Sequence, residues 1–457
     1  MERAFRTEKD SMGEVQVPVN ALYGAQTQRA VDNFTIADLV MPRVFISALA
    51  IIKKSAAETN VDLGLLPPEQ GEAIAIAAQE ILDGGHAEQF PVSVFQTGSG
   101  TSSNMNVNEV ITGLAARQGV ALSANDHVNL GQSSNDVIPT ALHLSASIGI
   151  REKVIPALEH LAQTIRARAS EYGHVIKTGR THLMDALPVR LSAELEAWAA
   201  SLDECQERFR DLLPRLQRLA LGGTAVGSGV NCHPDFPSKA VARINDMSGM
   251  ECTVGANFYK GLSSLDTVVE ASGQLRAAAV VLVKISNDLR WMNSGPGAGL
   301  GEIALPALQP GSSIMPAKVN PVIPEAVLMA CAQIMGNDQV ISLAAQGGTF
   351  QLNTMLPVAA HNTLQAIELL SGSASDLADK AVAGFTVNEE ACGAFVSRNP
   401  ILVTALNAKI GYLAAAEIAK KAMAEERPIL EVALEDTDLS RQELEELLDP
   451  ARLAAGR

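Results

Sequence analysis

The sequence predicts an all-α protein centred on a bundle of long helices. Three observations carry this expectation. Apolar residues recur at three- and four-residue steps over long stretches, and glycine-rich breaks separate those stretches. The apolar content is aliphatic, with aromatics only 4% of the residues. Small aliphatic side chains suit closely packed helices. The chain has 457 residues, above the roughly 250–300 at which one core divides, so two or three domains are expected. Hydrophobic residues at 47% against charged residues at 19% point to a globular chain rather than a disordered one.

In chain order, the first bundle helix is expected around residues 136–170. From Leu195 the apolar positions run Leu195, Trp198, Leu202, Cys205, Phe209, Leu212 and Leu216, a narrow seam suited to a helix partner. Pro214 sits inside that run and is expected to kink or shorten the helix. The next helix covers Leu265 to Trp291, with Val268, Leu275, Ala279, Leu282 and Leu289 on one stripe. Its other face carries Val269, Val280, Val281 and Val283. A helix apolar nearly all round belongs in a large core or between subunits. Another pattern, Glu325 to about Ala345, contains Val327, Cys331, Ile334, Ile341 and Ala345. A last bundle helix falls around 355–380, completing an up-and-down arrangement. Near Glu389 the composition shifts to short helical patterns, with an acidic stretch from Glu431 to Asp449, which suggests a small terminal domain.

The formal net charge of −16 argues against nucleic acid or an anionic membrane as the main partner. Five cysteines, Cys205, Cys232, Cys252, Cys331 and Cys392, form no CxxC pair, so neither a disulfide framework nor a zinc site is expected. The start, MERAFRTEKDS, has no apolar core of a signal peptide. The apolar run Ala277 to Val283 stops at Lys284, too short to span a bilayer. A soluble, cytoplasmic protein is expected.

Four loops hold the residue types that do chemistry. GSSIMPAKVN, Gly311 to Asn320, offers two serines, a lysine and an asparagine between glycine and proline. The lysine can hold a carboxylate. A serine becomes a base only where cations and backbone N–H groups stabilise its alkoxide. A polar loop before a helix is an equally good reading of this stretch taken alone. KTGRTHLMD, Lys177 to Asp185, places His182 in a short polar segment. A lone histidine is more often structural than catalytic, but Thr181, Arg180 and Asp185 around it favour acid–base work. QTGSGTSSNMNVNEV, Gln96 to Val110, clusters hydroxyls, amides and glycine N–H groups suited to an anion. It lacks the GxGxxG fingerprint and the GxxxxGK[ST] phosphate loop. GQSSNDVIPT, Gly131 to Thr140, precedes a helix, and Asp136 reads best as its N-cap. No HExxH, paired Cys/His or EF-hand pattern supports a metal, and no GxSxG elbow supports a serine hydrolase. Hydroxyl, amide, Lys and His donors on separate loops fit recognition of a small carboxylate with proton transfer beside it.

Together these stretches resemble the fumarase/aspartase superfamily. GSSIMPAKVN matches its GSSxMPxKxN pattern at every fixed position. The likeness runs from DSMGEV and YGAQTQRAV to VTALNAKIGY. Within the superfamily the chain is similar to class II fumarases, as in QTGSGTSSNMN, QSSND, GRTHLMDA, LGGTAVGSG and NDLRWM with SGP. Aspartases tend to have QGGAGTS and QSTND there. MPAKVNPVIPE, Met315 to Glu325, reads as aspartases often do, although some fumarases also carry NPVxPE.

The resemblance implies three helical domains, 1–132, 133–389 and 390–457, and a homotetramer built on the central helices, with each active site drawn from three subunits. It implies a cofactor- and metal-free hydro-lyase of the tricarboxylic acid cycle that hydrates fumarate to (S)-malate through an aci-carboxylate. Ser312 becomes the base. His182, through a water and assisted by Glu325, becomes the proton partner of the hydroxyl. Lys318, Asn320 and backbone N–H groups around Val319 stabilise the doubled charge. Thr101, Ser133, Ser134, Asn135 and Thr181 hold the carboxylates, with Ser99, Gly100 and Ser313 beside them. Class II fumarases usually carry HPND at a second, peripheral dicarboxylate site. Here Ser123, Ala124, Asn125 and Asp126 take its place, and Val120 replaces an upstream arginine, so that site is expected not to work. The rival readings are an aspartate ammonia-lyase on the same scaffold and a non-catalytic structural homologue.

Overall fold

The computed structural model describes residues 4–311 and 313–455. Helices dominate, and the described sheets are two-stranded ribbons. No described helix is long and apolar enough to cross a membrane.

The chain divides into two compact units. The first comprises Met1–Pro156, Gln206–Ala279 and Cys331–Ser371. It opens with an antiparallel hairpin, β1 (Phe5–Asp10) on β2 (Gly13–Pro18), followed by α1 (Ala25–Asn33). Its central helix is α2 (Arg43–Asp62), packed against α3 (Pro68–Leu82) and two helices from further along the chain. Phe45, Leu49, Ile52 and Ala56 are fully buried along α2, which is the i, i+4, i+7, i+11 stripe of an amphipathic helix. α4 (Thr101–Arg117) and α5 (Ser134–Gly149) follow.

α5 starts at a capping box: Ser133 is the N-cap and Asp136, at the third helical position, bonds back to the Ser133 N–H at 2.9 Å. The expected cap at Asp136 is therefore corrected by three residues. A π turn, Ile150–Val154, links α5 to α6 (Ile155–Glu171), so the helix expected over 136–170 is real but interrupted.

The second unit comprises Ala157–Cys205, Val280–Ala330 and Gly372–Arg457. It contains the antiparallel hairpin β3 (Ile176–Thr181) and β4 (Met184–Arg190). The seam expected from Leu195 is α7 (Leu191–Leu216), and all seven of its named residues are buried. The helix runs through Pro214 and stops two residues beyond it. A proline in the last turn costs one backbone hydrogen bond and leaves the preceding turns intact.

After α8 (Phe236–Ser248) and α9 (Phe258–Ser263) comes α10 (Asp266–Met292), within one residue of its expected bounds. Its stripe of Val268, Leu275, Ala279, Leu282 and Leu289 is buried, while Val280 on the other face is 53% exposed. α11 (Val322–Ala345) begins three residues before Glu325. Pro324 lies in its first turn, where a missing N–H has no helical acceptor to lose, so proline is no barrier there. α12 (Leu356–Leu377) completes the long helices.

The C-terminal segment folds as α13 (Glu389–Arg398), α14 (Asn407–Ile410), α15 (Tyr412–Glu425), α16 (Ile429–Asp436), α17 (Arg441–Leu448) and α18 (Pro450–Ala454). Leu406, Ile418, Val432 and Leu444 form its core. The acidic stretch becomes helices, with Arg427 and Lys421 on Glu435 and Lys421 on Asp436 relieving its charge. Cys232, Cys252, Cys331 and Cys392 are free thiols, and burial pushes those of Cys232, Cys252 and Cys331 up to about 12. These three thiols stay protonated at neutral pH and are poor nucleophiles.

Candidate active site

In the first unit, the starts of α4 and α5 meet at one cleft of about 460 Å³. Thr101, Ser133, Ser134 and Asn135 line it, with Asn129 and Gln132 beside them. The loop before α4 is held by Gln96, whose Nε2 donates to Ser103 Oγ at 2.7 Å and whose Oε1 accepts the Ser103 N–H at 2.9 Å. Gly100 has φ +75°, and a Cβ there would lie 2.9 Å from the Ile138 side chain. Only glycine meets both demands. Gly100 is buried, and Ser99 shares a 2.9 Å hydrogen bond with Thr101 Oγ1. Both stand beside the cleft lining.

Two helix N-termini at one cleft bring the positive ends of two helix dipoles to it. Asp136 fixes the α5 end. It is fully buried, and its second oxygen accepts the N–H groups of Gly222 and Thr224, each at 2.9 Å. Burial pushes its carboxyl up, opposed by these donors, by Ser133 and by the charge of Lys53. The LGGTAVGSG loop is thus tied under the helix start, and Asn135 Nδ2 reaches the Ala225 carbonyl of the same loop at 2.8 Å.

In the second unit, KTGRTHLMD forms the tip of the β3–β4 hairpin rather than an irregular loop. His182 and Leu183 are its turn residues, with φ +56° and +60°. Two consecutive positive φ values describe a type I′ turn, which normally takes Asn or Gly. A histidine and a leucine there store backbone strain, and such strain concentrates at functional sites. Thr181 and His182 are exposed. Arg180 does not join them: its Nη1 donates to Glu302 Oε1 at 2.8 Å, and Lys177 Nζ meets the other oxygen of Glu302 at 2.8 Å. The buried Glu302 clamps β3 behind its tip.

The loop 311–320 closes at its neck. Asn320 Nδ2 donates to the Gly311 carbonyl at 2.8 Å, and a Cβ on Gly311 would lie 2.0 Å from the Lys318 carbonyl oxygen. Ser312, expected as the base, lies outside the described residues. Ser313, Lys318 and Val319 are exposed, and Lys318 has no carboxylate partner among the described residues. Lys318, Val319, Asn320 and Glu325 line a broad open cavity of about 1320 Å³ with Trp291. Glu325 sits in the first turn of α11.

Elsewhere, Ser123 Oγ donates to Asp126 at 2.7 Å and accepts its N–H at 3.1 Å. Two of the four residues expected at the peripheral position, Ser123 and Asp126, thus satisfy each other, while Asn125 is exposed and lines the α4/α5 cleft. Among the described residues no group of His, Cys, Asp and Glu is arranged to hold a metal ion.

Two residues that organise the sites escaped the sequence reading, Glu302 and Lys53. For Lys53 a signal existed. It falls on the α2 stripe of Ile46, Leu49, Ala50 and Ala57, so a charged residue was placed facing the core.

Residues 13–336 match the family model described as Lyase, more than half of the chain, and residues 402–455 match that described as Fumarase C C-terminus. The chain is 56% identical over 452 residues to a Pseudomonas aeruginosa protein named fumarate hydratase class II 2, covering 99% of each. It is 48% identical over 455 residues to the Mycobacterium tuberculosis fumarate hydratase class II, covering 98% of this chain and 96% of that one. The crystal structure of a class II fumarase from Schistosoma mansoni superposes with a TM-score of 0.96 at 37% identity, covering 99% of both chains. The chain belongs to the class II fumarate hydratase family.

Proposed function

We propose that this chain is a hydro-lyase that adds water across fumarate to give (S)-malate, and reverses it. The observation that carries the reading is full-length identity of 56% to a fumarate hydratase. The chemistry of the α4/α5 cleft agrees: it offers neutral donors and helix N-termini suited to a carboxylate.

Starting from malate, Ser312 removes the proton from the carbon beside one carboxylate, and the electron pair moves into that carboxylate. Lys318, Asn320 and backbone N–H groups around Val319 stabilise the resulting aci-carboxylate. Collapse of that intermediate forms the double bond and expels the hydroxyl, which takes a proton through a water held by His182 and Glu325. Thr101, Ser133, Ser134, Asn135 and Thr181 hold the carboxylates, with Ser99, Gly100 and Ser313 supporting them.

The working form is a homotetramer in which three subunits complete each site. Val280, Trp291, Met329 and Leu343 are large apolar residues left more than half exposed on α10 and α11 in one chain, as expected of helices covered by other copies. The three-domain division at 132 and 389, a cytoplasmic location and a place in the tricarboxylic acid cycle belong to the same reading. The test is spectrophotometric. Malate alone should generate the ultraviolet absorbance of fumarate and aspartate should not. Activity on aspartate alone would replace the reading with an ammonia-lyase.

A further inference from the structure

None of the described residues lining the α4/α5 cleft carries a charged side chain. A dicarboxylate brings two negative charges to a chain whose own net charge is −16. Directly behind the cleft wall is a cation. Lys53 is completely buried, and its Nζ donates to Asn129 Oδ1 at 3.0 Å and to Gln132 Oε1 at 2.9 Å. Both partners line the cleft.

The bonds run one way from there. With its oxygen held by Lys53, Asn129 turns its Nδ2 to the Gln132 carbonyl at 3.1 Å. Gln132, held likewise, turns its Nε2 to the carbonyls of Val128 at 3.1 Å and Leu130 at 3.2 Å. The turn that delivers Ser133 is therefore strung on one ammonium group. Asn129 Oδ1 also accepts from Asn104 and Asn108, each at 3.2 Å. Asn104 in turn donates to Ser134 Oγ at 3.1 Å. That bond occupies a lone pair of Ser134 and leaves its proton for a ligand.

Lys53 has no ion pair among the described residues. The charge that acts on it is Asp136, whose two oxygens are already taken by backbone N–H groups. A buried cation supported only by amide oxygens is costly. A nearby anionic ligand would repay that cost.

We propose that Lys53 is a positioning residue for the dicarboxylate. Through Asn129 and Gln132 it sets the Ser133–Asn135 turn, and from behind the wall its charge raises the affinity of the cleft for a dianion. The proposal rests on the reading of this cleft as a dicarboxylate site.

The test uses the full chain with Lys53→Met, which keeps the length of the stem, and Lys53→Gln, which keeps polarity. KM and kcat for malate are measured at about pH 6, where Lys53 holds its proton, together with inhibition by succinate, a dianion, and by its monomethyl ester, a monoanion. The expected result for Lys53→Met is a KM raised about tenfold with kcat within about threefold, because the lost interaction is made equally in ground and transition states. Succinate should lose at least about threefold more affinity than its monoester, since only the electrostatic part scales with ligand charge. Equal losses for the two inhibitors, an unchanged KM, or a fall in kcat alone would overturn the proposal. So would failure of both variants to yield soluble protein, which would make Lys53 a folding requirement only. Wild-type protein that binds succinate without turning over malate would sink the hydratase reading alone, and direct binding of the two inhibitors would still decide the role of Lys53.

Discussion

Ser133 illustrates how one side chain serves structure and site together. It caps α5 and it lines the cleft, so a substrate carboxylate would meet a hydroxyl already fixed by the helix start. Ser312 is different, because its proposed work is chemical. Ser312→Ala should lower kcat by about a thousandfold or more with an unchanged melting temperature. Near-normal turnover in that variant would remove Ser312 as the base. Lys53 adds a pH signature. Burial pulls its ammonium from 10.5 down to about 7. Below about pH 7 both states hold the proton and the burial cost is felt in full. Between about 7 and 10.5 the unfolded chain still holds a proton that the native state has released, so stability rises with pH across that window. Urea midpoints at about pH 7 and about pH 10 should show a larger gain for wild type than for Lys53→Met. Identical slopes would contradict the burial of a titrating amine.

The β3–β4 hairpin shows what an element needs to carry a strained tip. Its turn residues, His182 and Leu183, both adopt positive φ without glycine. Behind them Glu302 joins Lys177 and Arg180 in the protein interior. Glu302→Ala would take the carboxylate from a largely buried arginine and leave the buried Lys177 with Glu194 alone. It should cost about 3–5 kcal/mol in urea unfolding, as loss of one partner from a buried ion group typically does. Turnover should fall as well, because the mount of His182 loosens. A variant with full stability would show that the hairpin is held by other contacts. The hairpin was not legible in KTGRTHLMD because the usual Asn-Gly or Asp-Gly turn signal is absent. Helices α7 and α10 were legible to within a few residues because their stripes persist over many turns. The start of α11 was misplaced because Pro324 and Glu325 resemble a boundary when read locally.

For the whole molecule, the proposed assembly makes activity depend on contacts between copies. Val280 is half exposed in the middle of a helix whose opposite face is fully buried. Val280→Asp should leave each chain folded by circular dichroism while shifting sedimentation from tetramer to smaller species. Turnover should fall in parallel, since in the proposed assembly each site needs loops from three copies. A variant that stays active as a monomer would end the shared-site reading. The overall charge of −16 makes local arrangement decisive at the same scale. A dianion approaches against the net field, and what favours it at the α4/α5 cleft is close at hand: two helix ends and one buried ammonium.

By itself the sequence determined the helical class, the long seams, the hydroxyl and amide chemistry of the loops and the family likeness, because periodicity and motif wording are properties of neighbouring residues. Tertiary packing decided which polar groups remain available. It turned Arg180 inward to Glu302, spent Asp136 on the helix cap and the Gly222–Thr224 loop, and placed Lys53 behind the wall of a cleft. Those outcomes depend on partners more than seventy residues away in the chain. Whether a charge faces solvent, a counter-ion or a ligand is settled only when such distant segments meet.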